Sequence, residues 1–164
     1  MSKRPNPKTL THIAVDGSAR MVDVSTKPPT ARMARARGSI RMEKAALEAI
    51  RLHQIAKGDV LSVARLAGIM AAKRTADLVP LCHPLLIEDV NVNLEVDAGL
   101  PGIRAESIVR TTGRTGVEME AIVAVTIALV TVYDMAKSVD RKMEIGDISL
   151  IEKTGGRSQD VVAD

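Results

Sequence analysis

Ten consecutive residues, Ala121–Val130, include a single polar side chain, Thr126, and lie inside a stretch whose spacing predicts a helix from about Val117 to Val139. A helix that is apolar on nearly every side must be covered on nearly every side. The cover has to be aliphatic, because Tyr133 is the only aromatic residue in 164. One domain of this length buries about two-thirds of the surface that its unfolded chain exposes, and a small sheet alone cannot enclose such a helix. The pattern implies subunit contacts that bury the remainder; the plainer alternative is a helix at the centre of a core. Ten apolar residues fall well short of the roughly 20 that a membrane span requires, so no membrane partner is expected.

The flanking patterns alternate between strand and helix periods. Thr11 to Val15 and Met21 to Val24 read as short extended pieces around an Asp16-Gly17 turn signal. From Ala31 to Met42, Arg32, Arg35, Arg37 and Arg41 interleave with small or apolar residues, as in a strand with a basic face. A charged edge strand that resists aggregation would look the same. Glu43 to Ile55 has helical spacing, and a second helix starts at the N-cap candidate Asp59 and runs to about Lys73. Pro80 and Pro84 bracket a rigid, non-helical Leu81-Cys82-His83.

Leu86 to Val96 is the clearest strand, with Val90, Val92, Leu94 and Val96 alternating against Asp89, Asn91, Asn93 and Glu95. A Gly99 to Gly102 turn joins it to the run Ile103 to Thr111 as an antiparallel hairpin. Ile148 to Glu152 makes a last strand. Together these predict an α+β fold, an antiparallel sheet with helices packed on one face. One domain covers residues 11–157, with a disordered lead-in at 1–10 and a flexible tail at 158–164.

Charge and cysteine usage narrow the partners. The 23 basic and 20 acidic residues are interspersed, leaving a formal charge of +3, which favours selected anions over bulk polyanion binding. Base stacking on Phe or Trp is excluded, since neither occurs. A lone cysteine, Cys82, cannot form an intrachain disulfide, and the first eight residues contain no apolar run of the signal-peptide kind. The cytoplasm is the expected compartment.

Chemistry-bearing residues gather at the ends of the long helix. Glu118 and Glu120 stand at its start; Asp134 and Lys137, three apart and therefore neighbours on its surface, stand near its end. A surface ion pair is the commoner meaning of such spacing. Following an unbroken apolar run, however, Asp134 is expected to be partly buried, and a carboxylate beside an ammonium can then exchange protons with a substrate. Fourteen residues separate Glu120 from Asp134, about 21 Å along a helix. Either the ligand is long, or each site is completed by the opposite end of a neighbouring chain. His83 is a candidate donor or shuttle, although lone histidines are more often structural. Cys82 and His83 point to opposite sides of an extended segment, which disfavours a nucleophilic dyad. Three histidines without i, i+4 spacing disfavour a metal site. Lys57 beside Gly58, Lys73 at a helix end, and Lys153 and Arg157 around Gly155-Gly156 are candidate anion contacts.

Several strings, taken together and in order, resemble the MoaC family: MVDV at Met21–Val24, KGDV at Lys57–Val60, ARLAGIMAAKRT at Ala64–Thr75, LVPLCHPL at Leu78–Leu85, TGVEMEA at Thr115–Ala121, YDMAKSVD at Tyr133–Asp140 and KTGG at Lys153–Gly156. The resemblance implies a ferredoxin-like fold in a homohexamer, a trimer of dimers, with active sites at the dimer interface. It implies conversion of 3',8-cyclo-7,8-dihydro-GTP to cyclic pyranopterin monophosphate and pyrophosphate; positioned acids, bases and cations can carry each step, so no cofactor and no protein-held metal site are expected. Asp134 and Lys137 fall at its acid–base centre. Leu81, Cys82, His83, Glu118, Met119, Glu120, Lys57, Lys73 and Lys153 match substrate-binding positions, with the lysines and His83 expected on phosphates. The tail departs from the pattern at Arg157 and Gln159, where members often carry lysine and glycine. A basic nucleic-acid-binding module, suggested by Arg32 to Arg41, is the main rival, but it lacks aromatic platforms and a recognition helix. A non-catalytic scaffold of the same family is the second.

Overall fold

The computed structural model describes residues 18–156 and 161–162. Five strands, β1 (Thr30–Arg41), β2 (Asp89–Asp97), β3 (Gly102–Gly113), β4 (Glu144–Thr154) and β5 (Val161–Val162), form one sheet in the order β2-β3-β1-β4-β5. Every neighbouring pair is antiparallel. Helices α1 (Lys44–Arg51), α2 (Val60–Ala72) and the single turn α3 (Thr75–Leu78) connect β1 to β2, and α4 (Glu118–Ala136) connects β3 to β4. With β1 and β3 central, this is the ferredoxin-like α+β arrangement, extended by β5.

The alternation along β1 explains its place. Ala34, Ala36 and Ile40 are fully buried, and the intervening Arg35 and Arg37 face the other way. The edge-strand reading of this segment is wrong, since β1 lies between β3 and β4. Its basic stripe survives at the centre because the neighbours bring carboxylates: Arg35 pairs with Glu106 of β3 at 2.7 Å and with Glu152 of β4 at 3.8 Å.

Other boundaries shift for local reasons. The first helix stops at Arg51, and His53 adopts a positive φ of 53° just beyond it. Asp59 caps α2 as expected, accepting the Ser62 amide at 3.1 Å. β2 begins only at Asp89, although Leu86 is held by the Thr111 hydroxyl, which donates to its carbonyl. β4 starts at Glu144, four residues before the sequence pattern shows it, because register shifts against β1 break its alternation. Met21–Val24 joins no strand. The extended piece at Thr11 to Val15, its Asp16-Gly17 turn, and Arg157 and Gln159 lie outside the described residues.

Helix α4 is seated at unusually short range. Ala121, Ala124, Val125, Ala128, Leu129 and Val132 are fully buried, and each large aliphatic among them contributes roughly 1.5–3 kcal/mol. Two glycines admit it. A Cβ on Gly38 of β1 would meet Val125 Cγ1 at 2.8 Å, and one on Gly68 of α2 would meet the Ala124 carbonyl at 2.8 Å and Ala128 Cβ at 3.2 Å. At 19 residues with mean hydropathy 1.7, α4 reaches the length and composition of a membrane span, longer than the ten-residue run suggested. Half of that window is nevertheless buried within the chain, so α4 packs as a core helix.

Gly68→Val is expected to destabilise the protein by about 1–3 kcal/mol through overpacking against the α4 backbone. Urea unfolding measures it; an unchanged midpoint would mean that the two helices separate without cost.

Candidate active site

The turn between α1 and α2 brings the first cation to the end of α4. Gly58 takes a positive φ of 100° and donates its amide to Ile55 O at 3.0 Å, a conformation glycine adopts without steric cost. Lys57, on this turn, reaches across to α4, where its Nζ donates to Asp134 Oδ2 at 2.7 Å and to the Asp134 carbonyl at 2.9 Å. The second bond satisfies one of the C-terminal carbonyls that a helix leaves unpaired. Lys137, the C-cap residue, pairs with Asp134 Oδ1 at 2.7 Å. One carboxylate is thus clamped by two ammoniums.

The clamp offsets a poor location. A carboxylate in the last turn faces the negative end of the helix dipole. The hydrogen bonds from Lys137 and then Lys57 nevertheless hold Asp134 down to about 2. Its side chain is 54% exposed, so the partly buried carboxylate expected from the preceding apolar run is not what forms in the single chain. The trio opens onto a cavity of about 260 Å³, completed by Tyr133, Ser138 and Arg141.

A second cluster lies at the opposite end of α4. Glu118 pairs with Lys153 of β4. Glu120, in the first helical turn, is only 4% exposed, and burial raises its carboxyl above the usual range. Cys82 stands close enough to Glu120 and Glu118 that they add to the upward push of burial on its thiol. His83 contacts a different segment: its Nε2 lies 2.8 Å from the Val22 carbonyl, and its ring lies near Asp23. Lys153 and Glu118 line a cavity of about 230 Å³ together with Lys27, Thr30, Arg32 and Arg114. Four cations face one carboxylate there. The Thr30 hydroxyl is buried without a partner among the described residues.

The predicted residues therefore separate into two groups. Lys57, Asp134 and Lys137 meet at one end of α4; Cys82, Glu118, Glu120 and Lys153 gather at the other. Leu81 and Met119 flank the second group in sequence, with Met119 37% exposed. Lys73 is exposed at the end of α2 and lines neither cavity. Sequence reasoning missed Lys27, Arg114 and Arg141 and gave Arg32 only a strand-face role. The glycines flanking Arg114 and the i+4 spacing of Arg141 from Lys137 were the available signals. Among the described residues no three His, Cys, Asp or Glu side chains converge as a metal site.

Residues 21–156 match the model of the MoaC family. The chain is 59% identical over 156 residues to the cyclic pyranopterin monophosphate synthase of Methylobacterium sp. (strain 4-46), covering 95% of this chain and 98% of that protein. It is 56% identical over 151 residues to the protein of that name from Brucella ovis, covering 92% of each. The protein of that name from Parvibaculum lavamentivorans is 56% identical over 156 residues, covering 95% of this chain and 98% of its own.

The two buried or clamped carboxyls make opposite contributions to pH dependence. Asp134 is depressed from 3.8 to about 2, so the stability it adds is in place above about pH 3.8 and is lost as pH falls through 2. Glu120 is raised from 4.5, so folding favours its protonated form and stability falls as pH rises above 4.5 through the raised value. Carbon-detected NMR titration should give an Asp134 midpoint near 2 that climbs in Lys57→Ala and in Lys137→Ala. Glu120→Gln should flatten the high-pH decline in urea unfolding. An Asp134 midpoint unmoved by either lysine substitution would rule out the clamp.

Proposed function

The chain belongs to the MoaC family, and from that premise we propose that it is a cytoplasmic enzyme of molybdenum cofactor biosynthesis, a cyclic pyranopterin monophosphate synthase acting as a phosphorus–oxygen lyase. Its substrate is 3',8-cyclo-7,8-dihydro-GTP, and its products are cyclic pyranopterin monophosphate and pyrophosphate. The observation that carries this reading is the Lys57–Asp134–Lys137 clamp opening on a cavity. Exposed ion pairs add little to stability, so three charges held this closely are better explained by a ligand than by folding.

Opening a purine ring, rebuilding it as a pterin and closing a cyclic phosphate require proton transfers at successive atoms. In the clamped state Asp134 is a weak base, and the ammonium of Lys137 is the proton donor. An anionic substrate entering the cavity competes for the Lys57 ammonium. Asp134 then loses one of the two bonds that depress it and becomes a better base. The cavity of Lys27, Arg32, Arg114 and Lys153 suits the outer phosphates of the triphosphate, where charge-assisted bonds are strong.

About 21 Å of helix separates the two clusters, so one nucleotide cannot use both ends of the same α4. Pairing two chains resolves this. Met119, Ile122, Thr126, Val130 and Tyr133 fall within about 80° around the helix axis, and Met119 and Val130 are 37% and 45% exposed. An antiparallel twofold through Thr126 sets Met119 against Tyr133 and Ile122 against Val130 of a second copy, a self-complementary stripe. Each Asp134 cluster then meets the other chain's Glu118–Lys153 cluster. Val63, Leu66 and Met70 of α2, 43%, 59% and 54% exposed, provide further apolar surface for a trimer of such dimers.

Supplied with the cyclised nucleotide, the protein should release the pterin product and pyrophosphate, and Lys137→Ala should lower kcat by about 10²–10⁴ while remaining folded. Coexpressing Asp134→Ala with Lys153→Ala tests the shared site. Random pairing leaves half the dimers mixed, each with one intact site, and restores about a quarter of wild-type activity. A site confined to one chain would recover nothing.

A further inference from the structure

Arg141 stands on the wall of the Asp134 cavity, four residues beyond Lys137. Its backbone is tied down by hydrogen bonds on both sides. Tyr133 Oη donates to the Arg141 carbonyl at 3.1 Å. The preceding residue, Asp140, is 5% exposed; one of its oxygens accepts the Glu43 amide at 2.8 Å and the other accepts the Lys142 amide at 2.7 Å. Three consecutive residues are thereby tied to α4, to the start of α1 and to one another. The Arg141 guanidinium forms no ion pair among the described residues. The Asp134 charge is already shared by Lys57 and Lys137, so Arg141 brings an unspent positive charge to the cavity.

We infer that Arg141 is a further substrate-binding residue of this site, its guanidinium gripping the non-bridging oxygens of the nucleotide phosphate nearest the nucleoside. This rests on the proposed reaction, in which that phosphate stays with the product as the cyclic ester. A sugar-derived hydroxyl oxygen bonds to the phosphorus, the bridging P–O bond to the outer two phosphates breaks, pyrophosphate departs with that oxygen, and the hydroxyl proton passes to a base. No oxidation accompanies the step. The forked, planar donor of arginine fits two phosphate oxygens, and its fixed backbone lowers the entropy lost on binding. The outer phosphates fall to the opposite cavity, around Lys153.

The probes are GMP, which carries only the inner phosphate, and inorganic pyrophosphate, which stands for the outer two. Arg141→Gln should weaken GMP binding by about 10-fold or more, in line with loss of a charge-assisted bond, and leave pyrophosphate binding unchanged. Arg141→Lys should recover part of the GMP affinity, and Lys153→Ala should weaken pyrophosphate binding preferentially. With the cyclised nucleotide, Arg141→Gln should lower kcat/KM by at least about 10-fold at unaltered thermal stability. Unchanged GMP affinity in Arg141→Gln, or equal losses for GMP and pyrophosphate, would overturn the assignment. If the wild-type protein fails to convert the cyclised nucleotide, the proposed reaction is wrong, and the two binding probes still decide whether Arg141 holds a phosphate.

Discussion

The close seating of α4 fixes everything that the two charged clusters can do. Interaxial distance depends on the side chains at the contact, and here those are Gly38 beneath the helix and Gly68 beside it, facing Ala124, Val125, Ala128 and Leu129. Such contacts leave no room for the helix to rotate or slide, because close-packed interiors do not yield by fractions of a side chain. A helix held along its length presents both ends at fixed positions. Asp134 at one end and Glu118 at the other are therefore placed by apolar packing in the middle, far from either charge.

Electrostatics at the ends follow from helix polarity. Glu118 and Glu120 occupy the first turn, where negative charge is favoured, and Glu120 is buried there at a desolvation cost that raises its carboxyl. Asp134 occupies the last turn, where negative charge is disfavoured, and its carboxyl is nevertheless held below the usual range by Lys137 at the helix cap and by Lys57 from the α1–α2 turn. Lys57 does two things at once. It caps the end of α4 through the Asp134 carbonyl and clamps the Asp134 carboxylate, so the turn that closes α1 against α2 also adds to the downward shift of that carboxyl.

Much of this was legible in the chain, and the failures have identifiable causes. The hairpin of β2 and β3, the Asp59 cap and the seat of α4 follow from local periods, which packing reinforced. The basic stripe of β1 suggested an edge because its neutralising partners, Glu106 and Glu152, lie some 70 and 117 residues further along the chain; a one-strand reading cannot see them. The exposure of Asp134 was misjudged because the apolar run ends on the face that no element of the same chain covers. Lys27, Arg32 and Arg114 converge from three separate segments, and convergence of that kind is a property of the sheet order, not of any window of sequence. Arg141 was hidden differently: its side chain looks ordinary, and only the bonds from Tyr133 and Asp140 mark its backbone as fixed.

The exposed half of α4 and the separation of its charged ends belong to one problem. Apolar residues such as Val130 at 45% exposure gain roughly 25 cal/mol per Å² when water is removed, whereas the clamp at Asp134 gains nothing comparable from association. In the proposed pairing, association through the stripe is driven by its apolar middle, and its register is set by the spacing of Met119, Ile122, Thr126, Val130 and Tyr133. In the proposed pairing that same register determines how far a proton-transferring cluster stands from a phosphate-holding one. A substitution in the dry middle would then alter catalysis without touching a catalytic group, because the helix acts as the ruler between two half-sites on different chains.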